Sequence, residues 1–137
     1  MSQATLHYDV IIIGAGASGL FCAFTAAKRG RRVLVVEKAN KVGKKILMSG
    51  GGKCNFTNYF VEAEHFISKN PHFSKAALKR YSQWDFISMV EQYGIDYEER
   101  DNSRLFCLNS ARDILDMLLK ECDQAGVEFQ IRSDVEQ

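Results

Sequence analysis

Gly14-Ala15-Gly16-Ala17-Ser18-Gly19 sets three glycines at G-x-G-x-x-G spacing, and Glu37 follows 18 residues after the last of them. A backbone without Cβ atoms lets an anion reach its amides, and a carboxylate at that remove can accept hydrogen bonds from two adjacent hydroxyls. Diphosphate and ribose are the chemistry that suits both features. Gly14 serves the tight turn, Gly16 the close approach to a pyrophosphate, and Gly19 the close packing of a helix on a sheet. The charge on Glu37 repels a 2′-phosphate, which favours FAD or NAD over NADP.

Such a loop works between a strand and a helix, and the flanking residues supply both. Tyr8 to Ile13 is a β-branched run that reads as a first strand buried on both faces of a parallel sheet. Leu20 to Arg29 has the alanine content and apolar spacing of a helix closing at Gly30, and Arg32 to Val36 reads as a second buried strand ending on Glu37. The order implies an α/β fold of Rossmann type, a parallel sheet with crossover helices. The helix start would offer unpaired N–H groups and the positive end of its dipole, roughly half a charge, so no lysine is required there. A Walker A loop is excluded. Before Gly52-Lys53 the required glycine position is Leu47, and Cys54 stands where a hydroxyl residue is needed.

Residues 28–53 carry a net charge of +8, against −7 for the rest of a chain whose total is +1. A local positive field suits an anionic small ligand or a nucleic-acid strand, and equally a solvated helix end and loop. Within it Lys38 to Asn58 reads as a loop with three consecutive glycines, Gly50, Gly51 and Gly52. Such a backbone can lie against a phosphate or a planar ring.

Two blocks, Asp9 to Gly19 and Gly43-Lys44-Lys45 with Ser49-Gly50-Gly51-Gly52-Lys53-Cys54-Asn55-Phe56-Thr57-Asn58, carry a resemblance. The sequence resembles the BaiN/RdsA-like (YhiN-like) flavoproteins, FAD- or NAD(P)/FAD-dependent oxidoreductases, and the similarity runs on through Arg104-Leu105-Phe106 and Ser110-Ala111. It implies a glutathione-reductase-like FAD-binding domain with a β-rich insertion, in a protein near three times this length, of which this chain is the N-terminal part. On matching positions it implies that Gly14, Ala15, Gly16, Ser18 and Gly19 hold the pyrophosphate and Glu37 the ribose. Lys38 and Lys45 would lie near the adenosine and phosphates, and Ser49, Gly50, Gly51, Gly52, Cys54 and Asn55 would border the flavin side. Val135 would give adenine a backbone contact. The resemblance also implies NAD(P)H as electron donor and an unsaturated carbonyl small molecule as substrate, as in bile-acid enone reduction. Ser103 and Cys107 depart from the glycine and proline that many members carry there, which leaves the substrate open.

With 46% hydrophobic and 26% charged residues and one proline in 137 residues, the chain is globular, of one-domain size or a piece of a larger domain. No apolar run reaches the roughly 18 residues of a membrane span and the N-terminus lacks a basic leader, so a cytoplasmic protein without a membrane partner is expected. Cys22, Cys54, Cys107 and Cys122 form no Cys-x-x-Cys pair, so neither a disulfide framework nor a metal site is expected. No residue stands out as a general acid or base. Nucleic acid is not expected as a partner, given Glu37 and the absence of a recognisable nucleic-acid fold. A non-catalytic dinucleotide-binding or sensor module remains the alternative to an oxidoreductase.

Between about 59 and 109 the pattern implies a helical and hairpin excursion. A short helix opens at Ser74, and Ser82 with Asp85 has capping-box spacing before a helix ending at Gly94. Ile95 to Arg100 and Arg104 to Leu108 form a hairpin around Asp101-Asn102-Ser103. Ser110 caps a helix with Ile114, Leu115, Leu118 and Cys122 on its apolar face, closing at Gly126. Val127 to Ile131 is then a third strand, parallel, beside strand two and away from strand one. Strand one would keep an open apolar edge, so association and weak FAD retention are expected of the chain in isolation. Cys54 is either a thiol made reactive by basic neighbours or a small residue fitting a crowded glycine loop. Trp84, Phe86 and Tyr93 are assigned to core packing, His65 and His72 to a surface loop, and Arg104 to an exposed strand.

Overall fold

The computed structural model describes residues 5–136. In chain order its elements are β1 (Val10–Ile13), α1 (Ala17–Lys28), β2 (Val33–Val36), α2 (Lys44–Met48), β3 (Asn55–Asn58), α3 (Lys75–Arg80), α4 (Gln83–Gln92), β4 (Tyr97–Arg100), β5 (Arg104–Cys107), α5 (Arg112–Gln124) and β6 (Glu128–Gln130). Two compact units result, one reaching to Ile46 and resuming at Leu115, the other spanning Leu47–Ile114.

In the first unit β1, β2 and β6 form a parallel sheet in the order β1-β2-β6, the arrangement expected for strands joined by helical crossovers. The central β2 buries Val33, Val35 and Val36. β1 departs from expectation: its exposure alternates, with Ile11 58% and Ile13 70% exposed. The sheet edge and one face of β1 are uncovered by the described residues, whereas a β-branched run reads the same whether one face or both are covered. The other face lies under α1, which starts three residues earlier than expected because Gly16 is its N-cap. α1 buries Leu20, Ala23 and Phe24, and α5 adds Leu115, Met117, Leu118 and Cys122 to this core. Each such aliphatic side chain contributes about 1.5–3 kcal/mol on burial. Cys122 donates its S–H to the Leu20 carbonyl at 3.4 Å, and Lys28 pairs with Glu121.

In the second unit β3, β5 and β4 form an antiparallel sheet in the order β3-β5-β4, with β4 and β5 closing the expected hairpin. β5 supplies its core through Leu105, Phe106 and Cys107, joined by Ile87 and Val90 of α4. The Ser82–Asp85 capping box forms as its spacing implies. β3 was not expected, because Asn-Phe-Thr-Asn lacks the apolar alternation of a strand. It pairs with β5 across an irregularity between Asn55 and Thr57, where the Asn55 carboxamide donates to the carbonyls of Thr57 and Leu105. Lys44 to Gly52 is likewise helical, α2 followed by a tight turn, rather than an extended loop. Gly50 has φ +56, and a Cβ there would come within 2.9 Å of the Phe106 ring. Trp84 is a correction: it is 55% exposed and stacks on Tyr59 at 5.6 Å between centroids, outside the core. No helix among the described residues is long and apolar enough to cross a membrane.

Candidate dinucleotide site

The end of β1, the start of α1 and the end of β2 converge on one cavity of the first unit. About 340 Å³ in volume, it is lined by Ala15, Gly16, Glu37, Ala39, Gly43 and the lysines at 41, 44 and 45. Parallel pairing of Ile13 with Val36 sets the end of β1 beside the end of β2, and the Gly14 N–H donates to the Val36 carbonyl at 2.8 Å. Glu37 therefore emerges next to the glycine loop by sheet register alone.

The three glycines differ in what excludes a side chain. A Cβ on Gly19 would lie 2.0 Å from the Gly14 carbonyl oxygen, so this position is reserved for helix-on-strand packing. Gly14 turns with φ +102. A Cβ on Gly16 would meet nothing within 4 Å, and its backbone is ordinary extended chain at φ −90, ψ −171. Protein packing thus gives no reason for a glycine at 16, while a ligand lying against the backbone would.

The amides divide in the same way. Those of Gly14 and Ala15 are occupied, the second by Glu37 Oε2 at 2.7 Å. The first bond of α1 runs from the Leu20 N–H to the Gly16 carbonyl at 2.9 Å, and no side chain caps the helix. The N–H groups of Gly16, Ala17, Ser18 and Gly19 meet no acceptor among the described residues, as the first turn of a helix dictates. Free donors and the positive end of a helix dipole are the chemistry that suits an anion.

Glu37 accepts from the Ala39 N–H at Oε1 (2.9 Å) as well as from Ala15. These amides, Ala39 first, hold its carboxyl below the usual range, so it is ionised at neutral pH. The Lys38 backbone also lowers it, and a carboxylate has about four acceptor positions, so these amides do not use up its capacity to accept hydrogen bonds. Behind it the loops following β2 and β6 are stitched together: Ser133 donates to the Glu37 carbonyl, Arg132 to the Ala39 carbonyl, both at 3.0 Å, and Lys38 pairs with Asp134 at 2.8 Å.

Of the residues singled out in the sequence, Ala15, Gly16, Glu37 and Lys45 line this cavity, and Gly14, Ser18 and Gly19 belong to the same turn. Lys38 is engaged by Asp134, and the Val135 N–H by the Asp134 carboxylate at 3.1 Å. Ala39, Lys41, Gly43 and Lys44 also line the cavity and carried no site assignment, though Gly43 and Lys44 belong to a block that carries the resemblance and the lysines contribute to the +8 segment. Ser49, Gly50, Gly51, Gly52, Cys54 and Asn55 lie on the turn before β3 and at its start in the second unit. Cys54 is buried with φ +52, and burial raises its thiol pKa, which favours a small residue fitting the turn over a reactive thiol. No cluster among the described residues could hold a metal ion.

A family model described as HI0933-like protein Rossmann domain matches residues 8–137. The chain is 54% identical over 137 residues, all of this chain and 33% of the relative, to a protein of Haemophilus influenzae named ribosomal RNA dihydrouridine synthase. It is 29% identical over 120 residues, 86% of this chain and 29% of the relative, to the 3-dehydro-bile acid delta(4,6)-reductase of Clostridium scindens. The chain thus spans about a third of the length of the curated relatives it matches. Its fold is similar to that of a 3-ketosteroid-delta4-(5alpha)-dehydrogenase from Rhodococcus jostii RHA1, with TM-score 0.63 and 12% identity, over 91% of this chain and 38% of that one. Both relatives are named as enzymes. The first is named for an RNA substrate, against the expectation that nucleic acid is no partner.

Proposed function

The chain belongs to the HI0933-like protein Rossmann domain family, and on that premise we propose that it carries the ADP-binding part of an FAD site in a flavin-dependent reductase. The observation that carries the reading is the open space before Gly16, which lines one cavity together with Glu37 at the uncapped start of α1. The amides of residues 16–19 bind the diphosphate, Glu37 takes the ribose diol, and Lys41, Lys44 and Lys45 balance the phosphate charge. Val135 is assigned to adenine, and Ser49, Gly50, Gly51, Gly52, Cys54 and Asn55 to the flavin side, as parts of the same proposal. When bound, a flavin supplies hydride chemistry that the side chains of this segment lack.

The names of the two relatives share one chemistry. A 3-keto steroid with conjugated unsaturation and the C5=C6 bond of uridine are both alkenes polarised by a carbonyl, open to saturation by a hydride and a proton. We take uridine in RNA as the acceptor of the whole protein, on the higher identity to the relative named for it. A small unsaturated carbonyl acceptor is the second reading, supported by the bile-acid relative; NAD(P)H is the proposed electron donor in both.

Titrating the full chain with FAD, followed by flavin fluorescence polarisation with ADP as competitor, tests the cofactor reading. Saturable FAD binding displaced by ADP is expected. A folded chain that takes up neither would overturn it, and preference for NAD over FAD would favour the sensor-module alternative.

A further inference from the structure

The second unit holds a separate cavity of about 460 Å³, lined by Asn58, Phe60, Val61, His65, Phe66 and Asn102. Its walls are aromatic and open. Phe60 is 71% and Phe66 48% exposed, and neither stacks on another ring among the described residues. Its polar groups come from two elements. Asn58 closes β3, and Asn102 sits at the tip between β4 and β5 with φ +60; the Asn58 carboxamide donates to the Asn102 backbone carbonyl at 3.5 Å. The Asn102 carboxamide itself has no partner among the described residues. Ser103 follows with φ +58, so two successive non-glycine residues hold a left-handed conformation that L side chains seldom adopt. Strain of that kind gathers at ligand sites.

His65 adds one more defined donor. Its Nδ1 accepts the Glu62 N–H at 3.2 Å, so the neutral ring carries its proton on Nε2. Arg104 stands opposite Asn58 in the β3–β5 register. It spends Nε on the Asp101 carbonyl at 3.0 Å and makes no ion pair among the described residues, whereas Arg100 is paired with Glu98. The Arg104 guanidinium lies over the Phe106 ring at 5.5 Å, one strand across from Asn58, which lines a cavity that offers carboxamide donors and acceptors, an imidazole N–H and two ring faces. Acids are also close by: Glu62 is used in capping its own turn and Glu64 is exposed. The surface is therefore no basic trough, and the recognition it offers is stacking and edge pairing with a single phosphate contact.

Resting on the reading of RNA as acceptor, we propose that this cavity receives an unpaired pyrimidine nucleotide of a single-stranded RNA. Stacking on Phe60 or Phe66 supplies the sequence-tolerant part of the binding. A carboxamide pairs with the adjacent donor and acceptor of a pyrimidine edge, and the His65 Nε2–H complements O2, which purines lack. Arg104 takes the flanking phosphate.

The test is fluorescence anisotropy of the full chain with labelled oligo-U and oligo-A single strands, in wild type and in the N102G and R104M variants. FAD affinity and the thermal melt are followed on the same samples. Glycine tolerates the left-handed tip, so N102G removes the carboxamide and keeps the backbone. Expected are tighter binding of oligo-U than of oligo-A and a loss on the order of ten-fold in N102G. A salt dependence with a log–log slope near about −0.7, which R104M flattens, is expected as well. FAD binding stays unchanged throughout. Oligo-U binding that neither variant weakens would overturn the pocket while leaving RNA as acceptor standing. Absence of binding to either strand by a folded, FAD-competent chain would overturn both.

Discussion

The Ala15 N–H donates to Glu37 Oε2 at 2.7 Å, tying the middle of the glycine loop to the carboxylate that ends the second strand. The bond ties both parts of the candidate site together: it holds the carboxylate at the cavity and engages the Ala15 amide. Replacing Glu37 by Gln leaves one acceptor oxygen where there were two and removes the charge. ADP affinity of Glu37→Gln, measured by competition against FAD, is expected to fall on the order of ten-fold, and further in Glu37→Ala, which also frees the Ala15 amide.

Acid weakens the first unit in a defined direction. The Ala39 and Ala15 amides lower the Glu37 pKa, and hydrogen bonding to Lys38 lowers that of Asp134. A carboxylate whose folded-state pKa lies below its unfolded value contributes stability that is fully present above the unfolded value and lost as pH falls through the folded one. Thermal melts should therefore be level above the ordinary carboxylate range and decline below it. For Glu37→Gln the decline should be shallower. A melting temperature that rises on acidification through this range would contradict the assignment.

Gly19 is a packing position and is predicted to behave as one. A methyl there would lie 2.0 Å from the Gly14 carbonyl oxygen, a backbone atom that moves only if the loop moves. Gly19→Ala is expected to cost at least about 1–3 kcal/mol, seen as a lowered melting temperature, with loss of ADP binding following from the displaced loop.

The thiols should divide one against three. Cys22 is exposed, while Cys54, Cys107 and Cys122 are buried, and burial raises the pKa of Cys107 and of Cys122 to about 11. A thiol reagent at neutral pH should label one equivalent quickly in the native chain and four after denaturation. Rapid labelling at Cys54 would restore the reactive-thiol reading.

The first unit was legible because its signals are local. Gly14 and Gly19 each meet a backbone or steric requirement at fixed spacing, and the register of β1 with β2 then brings Glu37 to the loop without further information. The placement of β6 beside β2 followed from the handedness of helical crossovers. What sequence left out depends on partners distant in the chain. β3 is held by the Asn55 carboxamide bond to Leu105, Gly50 is required by the Phe106 ring, and Ile11 and Ile13 are exposed through the sheet's boundary. Lys41 and Lys44 were counted as charge but could not be directed at the cavity before the chain after Glu37 was seen to fold back, with the Gly43 N–H on the Ala15 carbonyl at 2.8 Å.

Gly16→Ala tests the site most directly, because Gly16 has an alanine-compatible backbone and nothing within 4 Å of an added Cβ. ADP affinity and melting temperature should be measured together on this variant and on the unaltered chain. An unchanged melt with ADP binding weakened at least about ten-fold, roughly 1.4 kcal/mol, is the predicted result. An unchanged melt with unchanged ADP affinity would contradict a diphosphate lying against this backbone.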